Sequence, residues 1–240
     1  MQAIILAAGM GIRLGNLTTD LPKAMVRVAG KELILHVINF LDDPAISEKI
    51  VVTGYNSDKL TSFLKNHAPE VKTIFNPHFQ DGSIRTIETA MPHIKNNALI
   101  MNVDHIYPRR MLSHILKIKP DISAVCDFDR KLGSDDMKIK ISPKGKLTHI
   151  KKTLSEFDGG YIGMTVLSKN ILETYSKAVL KTRQIEGDKA SVENALGLLA
   201  GEGQIINICN TSGIRWFEVD THEDLMLAEK NLINNPELLL

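Results

Sequence analysis

Cysteine is scarce in this chain of 240 residues. There are two, Cys126 and Cys209, with no CxxC pair and no framework for disulfides. None of the eight histidines pairs with a cysteine or forms HExxH, so a zinc module is excluded too. Two buried thiols in a reducing cytoplasm fit this usage. Net charge is also nearly absent, because 29 Lys and Arg almost cancel 28 Asp and Glu. A protein that coats nucleic acid or an anionic membrane carries a basic excess, and this one has none. No apolar run reaches the ~18–20 residues that cross a bilayer, so no membrane insertion is expected. The apolar start, Met1–Gly9, has no basic flank and runs into a glycine turn and Arg13. It reads as a buried strand and not as a signal peptide. No Pro/Gly/Ser-rich linker, charge run, repeat or low-complexity segment divides the chain, which predicts one domain over residues 1–240.

What is present is an alternation of short apolar runs with amphipathic stretches. Strands are predicted at Ala3–Leu6, Lys49–Thr53, Lys72–Phe75, Ala98–Val103 and Ile122–Cys126, and helices at Leu33–Leu41, Ser57–Asn66 and Arg109–Leu116. The order β-α-β-α implies an α/β fold, a mostly parallel sheet with helices on both faces. From Met137 the pattern changes to alternation. Lys138–Ser142, the turn Pro143–Lys146 and Leu147–Lys151 predict an antiparallel hairpin. A strand at Gly160–Val166, a helix at Lys169–Val179, late strands at Gln204–Ile208 and Arg215–Val219, and a closing helix Thr221–Asn231 capped by Thr221 complete the reading.

The strongest motif is Leu6-Ala7-Ala8-Gly9-Met10-Gly11-Ile12-Arg13-Leu14, directly after the first strand, followed by Leu21-Pro22-Lys23. Small residues let backbone N–H groups approach an anion, while a guanidinium and a proline-stiffened ammonium supply charge. A dinucleotide fingerprint needs glycine where Leu14 stands, and a Walker loop needs a closing Gly-Lys-Ser/Thr that is missing. A plain strand-to-helix turn with surface cations is the remaining rival. Two carboxylates end apolar runs: Asp104, after Ala98–Val103, and Asp220, after Trp216–Val219. Ligands of open parallel sheets bind at the carboxyl ends of strands, and two such carboxylates suit Mg²⁺ together with phosphate oxygens. A helix cap is the other reading of Asp220. Gly82-Ser83 precedes a helix and suits a base edge, an anion or a simple cap.

Gly9–Leu14 with Leu21-Pro22-Lys23 resembles the signature of the sugar-phosphate nucleotidyltransferases. That resemblance implies a Rossmann-like mixed α/β fold, with a nucleotide-binding half over about 1–130 and an acceptor-binding half over about 131–240. It implies that Leu6, Ala7, Ala8, Gly9 and Gly11 bind the nucleotide, that Arg13 and Lys23 hold its phosphates as the catalytic cations, and that Asp104 and Asp220 bind Mg²⁺. Gly82-Ser83 looks like the cytidylyltransferase branch and implies CTP. Further motifs at Asn102–Tyr107, Glu156–Gly163 and Trp216–Thr221 are similar to the subgroup that acts on inositol 1-phosphate. On that likeness His105, Lys138, Glu156, Asp158 and Tyr161 bind the small phosphorylated substrate, with Lys138 on its phosphate. Two departures stand out: Gly159–Gly163 lacks an expected Asp-Thr-Gly, and Glu218 replaces an aspartate or methionine. Phosphocholine, aminoethylphosphonate and sugar-phosphate acceptors therefore stay open, and Tyr107, Tyr161, Trp216 and Asp158 are candidate walls for a cationic one. The resemblance leaves homo-oligomerisation open, with the closing helix a candidate contact. A non-catalytic nucleotide-binding module would tolerate loss of Arg13, Lys23, Asp104 or Asp220, yet all four are present.

Overall fold

The computed structural model describes residues 1–118 and 121–239. Its elements, in chain order, begin with β1 (Gln2–Ala7), β2 (Arg27–Val28), β3 (Lys31–Glu32), α1 (Leu33–Phe40), β4 (Glu48–Thr53), α2 (Ser57–His67), β5 (Lys72–Phe75) and α3 (Ser83–Ala90). They continue with β6 (Ala98–Asn102), β7 (His105–Ile106), α4 (Arg109–Ile115), β8 (Ile122–Asp127), β9 (Lys138–Ile141), β10 (Leu147–Lys151) and β11 (Gly159–Leu167). The chain closes with α5 (Leu172–Glu186), α6 (Val192–Gly201), β12 (Asn207–Asn210), β13 (Phe217–Glu218) and α7 (His222–Asn234).

Nine strands form one mixed sheet. Its path runs β10-β9-β11-β6-β1-β4-β5, with β8 against β11 and β12 against β8. β6, β1, β4 and β5 are mutually parallel, as the apolar runs of β6, β1 and β4 imply for strands covered on both faces, while β5 is a partly exposed edge strand. One face packs on α3, α5 and α6 through Ile4, Ile84, Tyr175 and Leu196, and the other on α1, α2 and α4 through Ile5, Val37, Leu60 and Met111. Cys126 and Cys209 fall on opposite faces, both buried. β11 runs antiparallel to β6 and β9, so its amino end lies at the same sheet edge as the carboxyl ends of β1 and β6. That reversal brings the second half of the chain to the predicted ligand edge.

A third cluster, around Leu14, Val28, Ile106, Phe217, Val219 and Leu232, fixes α7 and the two-stranded ribbon β7·β13 beside this edge. Thr221 caps α7, its hydroxyl accepting from the Asp224 amide while the Asp224 carboxylate accepts from the Thr221 amide at 2.9 Å.

Several elements differ from expectation. α6 is unpredicted from sequence, because Gly197 and Gly201 dilute its helical signal. A Ser191–Asn194 capping box starts the helix, and Gly197 lies against Ile150, where a methyl would sit 3.4 Å from Cγ2. The strand expected at Gln204–Ile208 begins later, at Asn207, because the Gln204 amide is used to close α6 on Leu199. The helix expected at Lys169–Val179 opens as a tight turn and extends to Glu186, since Ala178, Val179 and Thr182 continue its buried face.

Candidate active site

Downstream of β1 the chain turns sharply at Gly11, which adopts φ 69°. A Cβ there would also sit 2.9 Å from the Lys23 Cβ, so only glycine lets the two segments touch. The Thr18 hydroxyl donates to the Gly11 carbonyl at 2.8 Å and ties the loop shut. Gly9 has nothing within 4 Å of where a side chain would go, leaving its backbone open to a ligand. Pro22 holds an extended conformation before the turn Lys23–Met25, and burial of Ala24 in the core anchors Lys23.

Asp104 follows β6, and the β7·β13 pairing brings Asp220 beside it: the Val219 amide donates to the Asp104 carbonyl at 2.9 Å. The two carboxylates share one cation. Lys23 Nζ donates to Asp104 Oδ2 at 2.7 Å and also to Asp220 Oδ1. Arg13 forks between Asp220, at 2.6 Å, and Asp135. Burial disfavours the Lys23 charge, but Asp104 and Asp220 outweigh it and hold the ammonium above its ordinary value. Burial likewise opposes the Asp104 charge, yet Lys23 and His105 win and keep its carboxyl far below the usual range. His105 Nδ1 lies 2.6 Å from Asp104 Oδ1, and its ring packs in one cluster with Tyr107, at 5.5 Å, and Trp216, at 5.4 Å, which also approach each other to 6.2 Å. Burial and the Asp104 and Asp220 charges raise the Glu218 carboxyl, against the lowering influence of His105.

These groups open onto a cleft of about 300 Å³. Of the expected residues, Leu6, Ala8, Gly9, Arg13 and Lys23 line it, as do Ser83, Asp104, His105, Tyr161 and Asp220. Ala7 does not, because strand alternation turns it into the opposite core face. Gly11 and Gly82 shape the cleft from behind. Gly82 packs so closely on the segment before α6 that a Cβ would meet the Ala190 carbonyl at 2.0 Å. Ser83 is not a cap: its hydroxyl accepts from the Val192 amide at 2.8 Å, joining α3 to α6.

Three expected acceptor residues lie elsewhere. Lys138 is buried and donates to the Lys152 carbonyl at 2.8 Å, beneath the Phe157 ring. Asp158 faces the hairpin, accepting from the Ile141 amide at 2.8 Å, and Glu156 is exposed outside the cleft. Lys152 lines the cleft instead, paired with Asp135 at 2.6 Å. Asp135 and Glu193 also line it and escaped sequence reading, and Glu218 lines it too, marked in the sequence only as a departure from the resembled subgroup. Adjacent lysines in a hairpin carry no signal of which one the tertiary fold aims inward. Nor does Trp216 line the cleft: it is buried, with the His105 ring 5.4 Å and the Arg130 guanidinium 4.2 Å from its centroid. Tyr107 is buried and donates to the Ile162 carbonyl.

A glycine loop, two phosphate-sized cations and two converging aspartates at the carboxyl edge of a mixed sheet define a nucleotidyltransferase-type cleft. Residues 3–133 match the MobA-like NTP transferase domain, and the chain belongs to that family. It is 31% identical to the bifunctional IPC transferase and DIPP synthase of Aquifex aeolicus (strain VF5), over 96% of this chain and 51% of that protein. The chain spans about half the length of the first curated relatives it matches. The inositol-1-phosphate CTP transferase of T. maritima has the same fold, with TM-score 0.81, 20% identity and 96% of each chain covered. So has the CTP:phosphocholine cytidylyltransferase of Streptococcus pneumoniae, with TM-score 0.77, 21% identity and coverage of 96% and 98%. Among the described residues no helix is long and apolar enough to cross a membrane.

Proposed function

We propose that the chain is a Mg²⁺-dependent cytidylyltransferase of the cytoplasm, which transfers CMP from CTP to inositol 1-phosphate and releases pyrophosphate. The observation that carries this reading is the single ammonium, Lys23, held between Asp104 and Asp220 beside the Gly9–Arg13 loop. Both halves, about 1–130 and 131–240, share the main sheet, and we read them as one domain.

The donor set suits Mg²⁺. Two carboxylates already converge on one cation, and their hard oxygens match an ion that takes one or two carboxylates and completes its shell with phosphates and water. Among the described residues no group of three His, Cys, Asp or Glu could hold a metal unaided, so Asp104 and Asp220 would hold the ion together with phosphate oxygens of the nucleotide. Such an ion supplies charge stabilisation at the α-phosphate and leaving group.

The protein's own work is positioning. Arg13 and Lys23 exchange carboxylate for triphosphate oxygens, and the Gly9 backbone admits the nucleotide. An acceptor phosphate oxygen forms a bond to the α-phosphorus while the bond from that phosphorus to the bridging α–β oxygen breaks, and pyrophosphate leaves with its electrons. A phosphate monoester has a second pKa near ~6, so the nucleophile is already ionised at neutral pH and needs no general base. Lys152, aimed into the cleft, holds that acceptor phosphate. A polyol is favoured over a quaternary ammonium because Trp216 and Tyr107 are buried and neither lines the cleft. Exposed Met226, Leu227 and Ile233 on α7 are the patch through which self-association is proposed.

The test is a pyrophosphate-release screen of four nucleoside triphosphates against inositol 1-phosphate, phosphocholine, aminoethylphosphonate and hexose 1-phosphates, with and without a chelator. CTP with inositol 1-phosphate turns over fastest, and chelation abolishes release. Faster turnover with UTP and a hexose 1-phosphate, or release that survives chelation, overturns the reading. Lys152→Ala raises the acceptor KM about 10- to 100-fold, the loss of one charge-assisted hydrogen bond worth ~1.5–3 kcal/mol, and leaves the CTP KM within about twofold. Lys138→Ala lowers the melting temperature instead. Equal kinetic effects of the two variants would refute this division of labour.

A further inference from the structure

Most carboxylates around the cleft have a partner. Asp104, Asp220 and Asp135 pair with cations, Asp136 accepts from the Gly133 amide at 2.6 Å, and Asp81 lies 3.6 Å from Lys189. Glu193 does not. It is 8% exposed and lines the cleft, and among the described residues no protein donor reaches its carboxylate. A buried acid without a protein partner is unfavourable, and this one lines the cleft.

Its setting is rigid. Glu193 is the second residue of α6, where the helix dipole favours a negative charge. The turn that carries it is fixed on three sides. Ser191 and Asn194 cap the helix reciprocally, the Asn194 amide group donates to Glu186, and the Val192 amide donates to Ser83 at 2.8 Å. Tyr161 also lines the cleft and packs in the same cluster as α6, its phenol pushed well up by burial first and by the Glu193 charge second, and that charge reaches buried Tyr175 as well. Tyr161 occupies the amino end of β11 beside Met137, so Glu193 faces the acceptor side of the cleft.

We infer that Glu193 sets acceptor specificity by accepting hydrogen bonds from ring hydroxyls of a phosphorylated polyol. This rests on the reading of the cleft as the site of CMP transfer to such an acceptor. A carboxylate takes only donors, and a neutral polyol presents several on one face. Its phosphate is held from Lys152, so the two ends of the acceptor meet opposite charges. A site that hydrogen-bonds a hydroxyl rejects the analogue lacking it more strongly than an apolar pocket rejects one extra group.

The test compares wild type with Glu193→Gln and Glu193→Ala in steady-state kinetics, with inositol 1-phosphate and its single-deoxy analogues. The glutamine variant keeps volume and fold, and removing an unpartnered buried charge holds or raises its melting temperature. The acceptor KM rises tenfold or more, while the CTP KM and the CTP-over-UTP preference stay within twofold. At least one deoxy analogue binds tenfold worse than inositol 1-phosphate in wild type, and that gap closes in Glu193→Ala. An unchanged acceptor KM overturns the inference. So does a shift confined to the CTP KM or to base preference, which would assign Glu193 to the cytosine amine. If wild type turns over another acceptor from the screen and not inositol 1-phosphate, the identity of the polyol is wrong. The same variants are then measured with that acceptor, and an unaltered KM still refutes the role of Glu193.

Discussion

Asp104→Asn lowers pyrophosphate release by about three orders of magnitude, the ~4 kcal/mol that losing an electrostatic anchor at the reacting phosphate costs at ~1.36 kcal/mol per decade. The fold survives, because the amide is isosteric and Lys23 keeps Asp220 as its partner. The stability cost is therefore ~1–3 kcal/mol, below the ~3–5 kcal/mol of stripping a buried ion of its only partner. Circular dichroism before the assay separates the two effects, and near wild-type turnover by a folded variant would sink the assignment. An acid titration gives a second readout. The folded-state carboxyl of Asp104 is held far below its unfolded value of ~3.9 by Lys23 and His105. Its contribution to stability is present above about pH 4 and is withdrawn as pH falls towards the depressed folded value. Wild type consequently loses more stability than Asp104→Asn between neutral pH and about pH 3.

Lys23→Met has the second large effect, and it appears without any substrate. With the ammonium gone, Asp104 and Asp220 face each other across a partly buried gap. Two like charges at about 4 Å repel by ~4 kcal/mol at an effective dielectric of ~20, so the free variant melts well below wild type at neutral pH. One of the pair then holds a raised pKa, and the variant gains stability as pH falls through that value, the reverse of wild type. Millimolar Mg²⁺ in the absence of nucleotide restores much of the lost melting temperature in Lys23→Met. It shifts wild type little, because the ammonium already fills the position between the carboxylates. Thermal melts with and without Mg²⁺ measure this. An equal response of both proteins would mean that the two aspartates do not converge on a common cation position. Turnover of the variant also falls about 10²- to 10³-fold, since a cation on the triphosphate is lost.

Much of the frame was legible because periodicity and local chemistry dictate it. β1, β4, β6 and β8 are largely buried apolar runs, β5 is a partly exposed edge strand, the bounds of all five fall within a residue of expectation, and Thr221 caps α7 by a local side-chain bond. Gly11 was legible as part of a motif, and its left-handed backbone explains why no other residue serves there. α6 was not legible, because its stability comes from packing on β10 and α5 through positions where glycine weakens the helical pattern. That Lys152 and not Lys138 lines the cleft was not legible for a related reason. Which of several lysines in a hairpin meets the cleft depends on how β9 and β10 sit on β11, and that is a long-range pairing.

By itself the sequence determined the alternation of buried strands and covering helices, the glycine loop, and the presence of Arg13, Lys23, Asp104 and Asp220 as separate chemical groups. Only the tertiary structure decided that these groups meet. The β7·β13 ribbon joins Asp104 to Asp220, the Gly11 turn admits Lys23 between them, and the reversed strand β11 carries Tyr161 to the same edge while α6 brings Glu193 there. Local propensity acts over a few residues, whereas the cleft is assembled from segments distant in the chain and held by burial of their apolar flanks, a force with no preferred sequence separation.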